Sequence, residues 1–191
     1  MADDVAALLD HLRIARATVC GLSMGGYIAF ALWRAHPGRI ARLILADTKA
    51  AADTEEARAN RYRLAELVLA RGARAAADAM LPRLVAPEHL AGAVGRDLRA
   101  VIERASPAQI AVTLHALAAR PDSTGLLATL TAPTLIVVGE LDAITPLADA
   151  EVMRRGAPGA QALAVIPGAG HMSPLENPDA FNAAMAAFLG A

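Results

Sequence analysis

The chain has 191 residues, of which 55% are hydrophobic and 19% charged, with a formal net charge of −1. This is the composition of a globular domain, and the interspersed arginines and acids leave no basic stripe for nucleic acid or an anionic membrane. The single cysteine, Cys20, rules out an internal disulfide and a multi-cysteine zinc site, and no apolar run reaches the length of a membrane span.

From Asp3 to Leu12 the spacing is helical, with Val5, Leu8, Leu9 and Leu12 on one face and Asp3 or Asp4 placed to cap the start. The opening MADDVAALLD is acidic where a secretory leader is basic, so a cytoplasmic location is expected. Thr18–Leu22 is a short apolar run of strand type. Met24–Ala35 then reads as a helix closed by His36-Pro37-Gly38, with Phe30 and Trp33 facing the core. Ile40–Ala46 and Thr134–Val138 are further strands, and Leu163–Ile166 is a weaker one. Helices are predicted at Ala148–Arg155 and Asp179–Leu189. Strands alternating with helices define an α/β fold with a mostly parallel sheet, and the continuous apolar runs suit strands buried on both faces.

Between Thr54 and Ala119 no good strand occurs. Helical segments are instead expected, broken near Gly72, Pro82, Pro87 and Pro107. The chain therefore divides into residues 1–50, a helical insertion over 51–120, and a C-terminal part over 121–191.

Gly21-Leu22-Ser23-Met24-Gly25 fits G-x-S-x-G between a predicted strand and a predicted helix. That context turns the serine sharply and lifts its hydroxyl to the C-terminal edge of the sheet. Gly21 and Gly25 leave space for the close approach, and the Met24 N–H at the helix start can donate to a developing oxyanion. A serine nucleophile needs a base, and the base an orienting acid. Asp142 lies in the loop after strand TLIVV, and His171 in the glycine-flanked loop after LAVI. The order Ser, Asp, His is that of the nucleophile-elbow hydrolases. Asp47, at the end of IARLILA, is a weaker alternative for the acid.

The segments GLSMGG, PTLIVVGELDAITP and PGAGHMSPLENPDAF resemble the α/β-hydrolase superfamily, in the style of its small esterases, enol-lactonases, C–C hydrolases and cofactor-free haloperoxidases. The resemblance implies a Ser23 nucleophile, an Asp142 acid, a His171 base and a helical cap from about residue 50 to 120. It implies hydrolysis of a small ester, lactone or activated carbonyl substrate through an acyl-enzyme, with no metal or organic cofactor. Perhydrolysis with peroxide is an alternative, as is a non-catalytic remnant that retains the three residues.

The remaining histidines read as structural: His36 ends a helix, His11 lies on a helix surface, and His89 and His115 fall in the cap. Cys20 is expected as a small core residue and Glu140 as solvent-facing. Compared with the family, only about 17 residues precede the elbow strand, and the loop that supplies a second oxyanion donor has no counterpart. Loss of such a donor costs around 2.7–4 kcal/mol in transition-state stabilisation. The chain thus reads as the C-terminal part of the fold, a truncated form in which the elbow strand lacks one neighbour. Self-association at that exposed edge is expected.

Overall fold

The computed structural model describes residues 1–190. Its elements run α1 (Ala2–His11), β1 (Ala17–Leu22), α2 (Met24–Ala35), β2 (Ile40–Ala46), α3 (Glu55–Arg71), α4 (Ala73–Leu84), α5 (Pro87–Leu90), α6 (Ala93–Arg104) and α7 (Pro107–Ala118). They continue with β3 (Thr134–Gly139), α8 (Leu147–Gly156), β4 (Ala160–Ile166), α9 (Ser173–Glu176) and α10 (Pro178–Leu189). Two compact units result: Met1–Ala51 together with the chain from Asp122 onward, and Ala52–Pro121.

The first unit is built on a four-stranded sheet in the order β1-β2-β3-β4, parallel throughout. Because side chains alternate along a strand, each strand feeds two cores. Leu43 and Leu45 of β2 join Ile136 and Val138 of β3 beneath Phe30, Leu32 and Trp33 of α2 and Met153 of α8. Ile44, Ala46, Leu135 and Val137 point the other way and pack with Ile166 and with Phe181 of α10. Each connecting helix thus has a sheet face to bury its apolar side against, which stabilises it more than intrinsic propensity can. Asn177 caps α10 by accepting the Ala180 N–H at 3.2 Å, Pro178 follows at the first helical position, and Gly190 closes the helix in the left-handed region at φ 76°. Arg42 reaches from β2 to the carbonyls of Phe188 and Leu189, placing a cation at the negative end of α10.

The second unit is entirely helical. The pair α3 and α7 packs through Ala65, Ala111 and Leu114, small enough at two positions to bring the helix backbones close. Thr54 caps α3 by accepting the Ala57 N–H at 3.2 Å. Asp53 is buried between Arg61 and Arg120, with the Arg120 guanidinium 2.7 Å away. Burial pushes the Asp53 carboxyl up, but the hydrogen bonds and charges of Arg61 and Arg120 outweigh it and hold the carboxyl below its ordinary value. Since Asp53 and Arg120 each lie one residue inside the unit's limits, this cluster fastens its two ends together.

Three expectations differ from the structure. Pro82 does not break a helix where it stands; it sits inside α4, which runs two residues further to Leu84 despite the hydrogen bond that the missing N–H forgoes. β4 begins at Ala160, three residues before the apolar run, because pairing with β3 draws in an alanine-rich stretch of poor strand propensity. Cys20 is exposed. It shares a face with Ile44, opposite which it pairs, yet β1 is the edge of the sheet and, among the described residues, bonds only to β2.

Two outcomes are expected. Replacing Asp53→Ala leaves buried cationic charge without its carboxylate and should cost about 3 kcal/mol in urea unfolding; a loss below about 1 kcal/mol would mean that the cluster is peripheral. Cys20 should react stoichiometrically with a maleimide in native buffer, as read by intact mass, and protection until unfolding would contradict its edge position.

Candidate active site

Parallel pairing brings the ends of all four strands to one edge, and the candidate site residues lie in the loops after them. The turn after β1 is sharp. Ser23 has φ 51° and ψ −111°, outside the regions that a side chain ordinarily allows. Its N–H donates to Ala46 O at 2.9 Å, and Thr48 Oγ1 donates to Ser23 O at 2.8 Å, so β2 and its following turn hold the strained peptide on both sides. Met24 opens α2, and a first-turn N–H has no acceptor within its own helix.

The two glycines of the motif are not equivalent. A Cβ on Gly21 would lie 2.4 Å from Gly25 O, so the strand and helix backbones touch there. A Cβ on Gly25 would meet nothing within 4 Å, whereas one on Gly26 would strike the Thr48 side chain at 2.4 Å. The steric need therefore falls on Gly21 and Gly26.

Ser23, Asp142 and His171 come together. Ser23 Oγ lies 2.7 Å from His171 Nε2, and His171 Nδ1 lies 2.8 Å from Asp142 Oδ2. His171 is 1% exposed and Asp142 5%, so water contributes little to holding either charge. Burial pushes the Asp142 carboxyl up, but the hydrogen bond and charge of His171, followed by the Thr145 N–H and hydroxyl, more than compensate and leave it lowered. An ionised Asp142 accepts only, so Nδ1 carries the ring proton and Nε2 is left to accept from the Ser23 hydroxyl.

Asp142 is itself well anchored. Its Oδ1 accepts the N–H groups of Ile144 at 2.7 Å and Thr145 at 3.0 Å, and its Oδ2 accepts the Thr145 hydroxyl at 2.7 Å. Thr145 Oγ1 is also 3.4 Å from His171 Nδ1. Thr145 was not among the expected site residues. The Asp-x-x-Thr spacing at the head of a helix, a common pattern for a carboxylate that collects backbone donors, was the signal for it.

Asp47 does not contact the His171 ring in the way Asp142 does. It is fully buried, with φ 45°, and accepts the Gly139 N–H at 2.8 Å and the Ser173 hydroxyl at 2.6 Å. Burial pushes its carboxyl up from 3.8 to about 6, opposed by the Ser173 and Gly139 hydrogen bonds. The neighbouring Asp142 raises it further, and His171 lowers it. Glu140 is exposed and accepts the Gly168 N–H at 2.9 Å. His36 ends α2 and bonds Asp3 at 2.9 Å, and His11 is exposed. In the helical unit His89 is half-buried, and His115 is exposed with its ring 5.2 Å from that of Tyr62. No group of three or more His, Cys, Asp or Glu among the described residues is arranged to hold a metal ion, and no helix among them is long and apolar enough to cross a membrane.

A parallel sheet with a strained serine on the turn into the next helix, facing a carboxylate-bound histidine, defines the nucleophile-elbow class of α/β protein. The chain belongs to the alpha/beta hydrolase family, whose profile matches residues 1–184. It is 32% identical over 188 residues to 3-oxoadipate enol-lactonase 2 of Acinetobacter baylyi, covering 97% of this chain and 68% of that protein. An esterase from Thermogutta terrifontis superposes with a TM-score of 0.93 at 42% identity, over 99% of this chain and 70% of that one. The enol-lactonase from Burkholderia xenovorans gives 0.88 at 31% identity, over 100% of this chain and 72% of that one. The chain thus spans about two thirds of the length of these relatives. Family and relatives together support a hydrolytic enzyme.

The raised Asp47 carboxyl has a consequence for stability. Below pH about 4 it is protonated in both folded and unfolded chains; above about 6 it is ionised in both, and the folded state carries the cost of burying the charge. The stability of Asp47→Asn relative to the parent should therefore improve by about 3 kcal/mol between about pH 4 and 7, as measured by urea unfolding. A difference independent of pH would mean that the carboxylate is well solvated.

Proposed function

We propose that the chain is a serine hydrolase that cleaves a small carboxylic ester or lactone through an acyl-enzyme. The observation that carries this reading is the unbroken series from Asp142 to His171 to Ser23, with contacts of 2.8 and 2.7 Å. The names esterase and enol-lactonase borne by relatives at 42% and 32% identity bring ester and lactone carbonyls forward as the substrate class.

In this scheme Ser23 Oγ attacks the carbonyl carbon while its proton passes to His171 Nε2. Negative charge collects on the former carbonyl oxygen, where the Met24 N–H at the start of α2 donates to it. The acyl–oxygen bond then breaks, and the proton on Nε2 passes to the leaving alkoxide. For a lactone the released hydroxyl stays on the acyl chain. Water next attacks the acyl-enzyme, giving its proton to Nε2, and the same proton returns to Ser23 Oγ as the carboxylic acid departs. Throughout, Asp142 keeps the ring in the Nδ1–H tautomer and offsets the positive charge of the imidazolium. Each of these steps is carried by side chains, the Met24 N–H and water.

The strained elbow suits this role. Fixing Ser23 at φ 51° before substrate binds means that the hydroxyl need not be ordered during the reaction, so part of the entropy of orientation is met on folding.

A fluorophosphonate should label the purified chain at Ser23 alone, as located by peptide mass spectrometry. Ser23→Ala should abolish labelling, and His171→Ala should slow it by roughly a thousandfold or more. A folded sample that is not labelled would refute the serine mechanism and favour a non-catalytic role.

A further inference from the structure

Three buried polar groups lie beside the proposed catalytic residues with no part in the scheme above: Asp47, Ser173 and Glu176. Each bears on the loop that carries His171. Glu176 Oε1 accepts the N–H of Met172, the residue after His171, at 3.0 Å. Ser173, two residues after His171, donates its hydroxyl to Asp47 Oδ2 at 2.6 Å. The other Asp47 oxygen accepts the N–H of Gly139, the last residue of β3, from which the Asp142 loop departs.

We infer that Asp47 is a positioning residue for the base: its carboxylate ties the His171 loop to the end of β3, and so keeps His171 in register with both Asp142 and Ser23. The inference rests on the proposed serine mechanism and names a residue that this mechanism needs but does not use directly.

The geometry at Gly139 shows how tight this junction is. A Cβ there would lie 1.9 Å from Gly170 O and 2.5 Å from Ala169 O, so the His171 loop rests directly on the peptide that Asp47 binds. Leu141 N–H donates to Ala169 O at 2.8 Å from the same turn. Asp47 thus completes a three-way junction among the chain ends of β2, β3 and β4. The backbone of Asp47 is strained, at φ 45°, like that of Ser23, and strain of this kind persists only where surrounding contacts enforce it. Its neighbours in charge are Asp142, which raises its carboxyl, and His171, which lowers it. Asp142 already occupies Nδ1, which leaves Asp47 no place as the orienting acid.

Asparagine in place of Asp47 can still accept from Gly139 N–H and bond Ser173 Oγ, whereas alanine can do neither. If position is what matters, the two variants separate. With an aryl ester as probe, Asp47→Ala should lower kcat by roughly ten- to a hundredfold with KM within about twofold, because a poorly held base is productive for less of the time. Asp47→Asn should stay within about threefold of the parent, and Ser173→Ala, which removes one of the two ties, should fall between them. The low-field ring N–H resonance of His171, identified by its absence in His171→Gln, should broaden in Asp47→Ala and Ser173→Ala and persist in Asp47→Asn. Parent-like kcat and resonance in a folded Asp47→Ala overturn the inference, as does an Asp47→Asn as impaired as the alanine. Should Asp47→Ala not fold, a Ser173→Ala indistinguishable from the parent in both readouts overturns it equally. A parent chain that fluorophosphonate does not label defeats the serine mechanism instead, and the resonance still reports whether Asp47 holds the ring.

Discussion

Parallel pairing makes every strand of the sheet end on the same side, and the groups of the site hang from those ends. Ser23 follows β1 directly and Asp47 follows β2, while Asp142 and His171 lie a few residues beyond β3 and β4. Residues 148 apart in sequence meet at Ser23 and His171, and residues 29 apart at His171 and Asp142. Closing loops of such length costs entropy that a few hydrogen bonds could not offset alone. The two apolar cores on either face of the sheet supply the stabilisation, and the site takes its geometry from them.

The site concentrates charge where water is scarce. Asp47, Asp142, Thr145, His171 and Ser173 are all buried, and each carboxylate is met by fixed donors. Two outcomes follow from similar burial. Asp142, with three donors and the histidine, keeps its charge readily, while Asp47, with two donors and a like charge nearby, holds its own with difficulty. The difference lies first in the hydrogen bond and charge of His171, which favour the Asp142 carboxylate, and then in the N–H and O–H groups of Thr145 that the adjacent turn presents. Small residues make such turns possible: at Gly21 and Gly139 one backbone rests against another, leaving no room for a side chain.

Much of this was legible in the sequence. The alternation of apolar runs and helical spacings marked every strand of the sheet, with Met24–Ala35 and Ile40–Ala46 correct to the residue. Ser23, Asp142 and His171, which the structure brings within hydrogen-bond distance, could be singled out as candidates because a nucleophile elbow calls for particular side chains at particular loop positions. What could not be read was set by contacts between distant segments. Gly26 matters through the Thr48 side chain, and Ser173 through Asp47, 126 positions away. Cys20 looked like a core residue because its neighbours are apolar; its exposure depends on which strands flank β1, and no local pattern records that. Pro82 shows the same limit on a smaller scale, since α4 continues past it to Leu84 although a proline there gives up a helix hydrogen bond.

Among the described residues β1 is paired on one side only, and this bears on how its amides are held. In a parallel ladder alternate residues of a strand direct their amides to opposite neighbours, so half of those in β1 face no acceptor strand among the described residues. Amide protons on that side exchange with solvent ahead of those between β2 and β3, and opening a strand bonded along one margin takes less free energy than opening the whole sheet. Ser23 hangs from this strand, steadied by the Ala46 carbonyl and the Thr48 hydroxyl. Among the described residues the position of Ser23 is therefore tied to the rest of the sheet through β2 and the turn after it, and its alignment with His171 is only as firm as those two contacts.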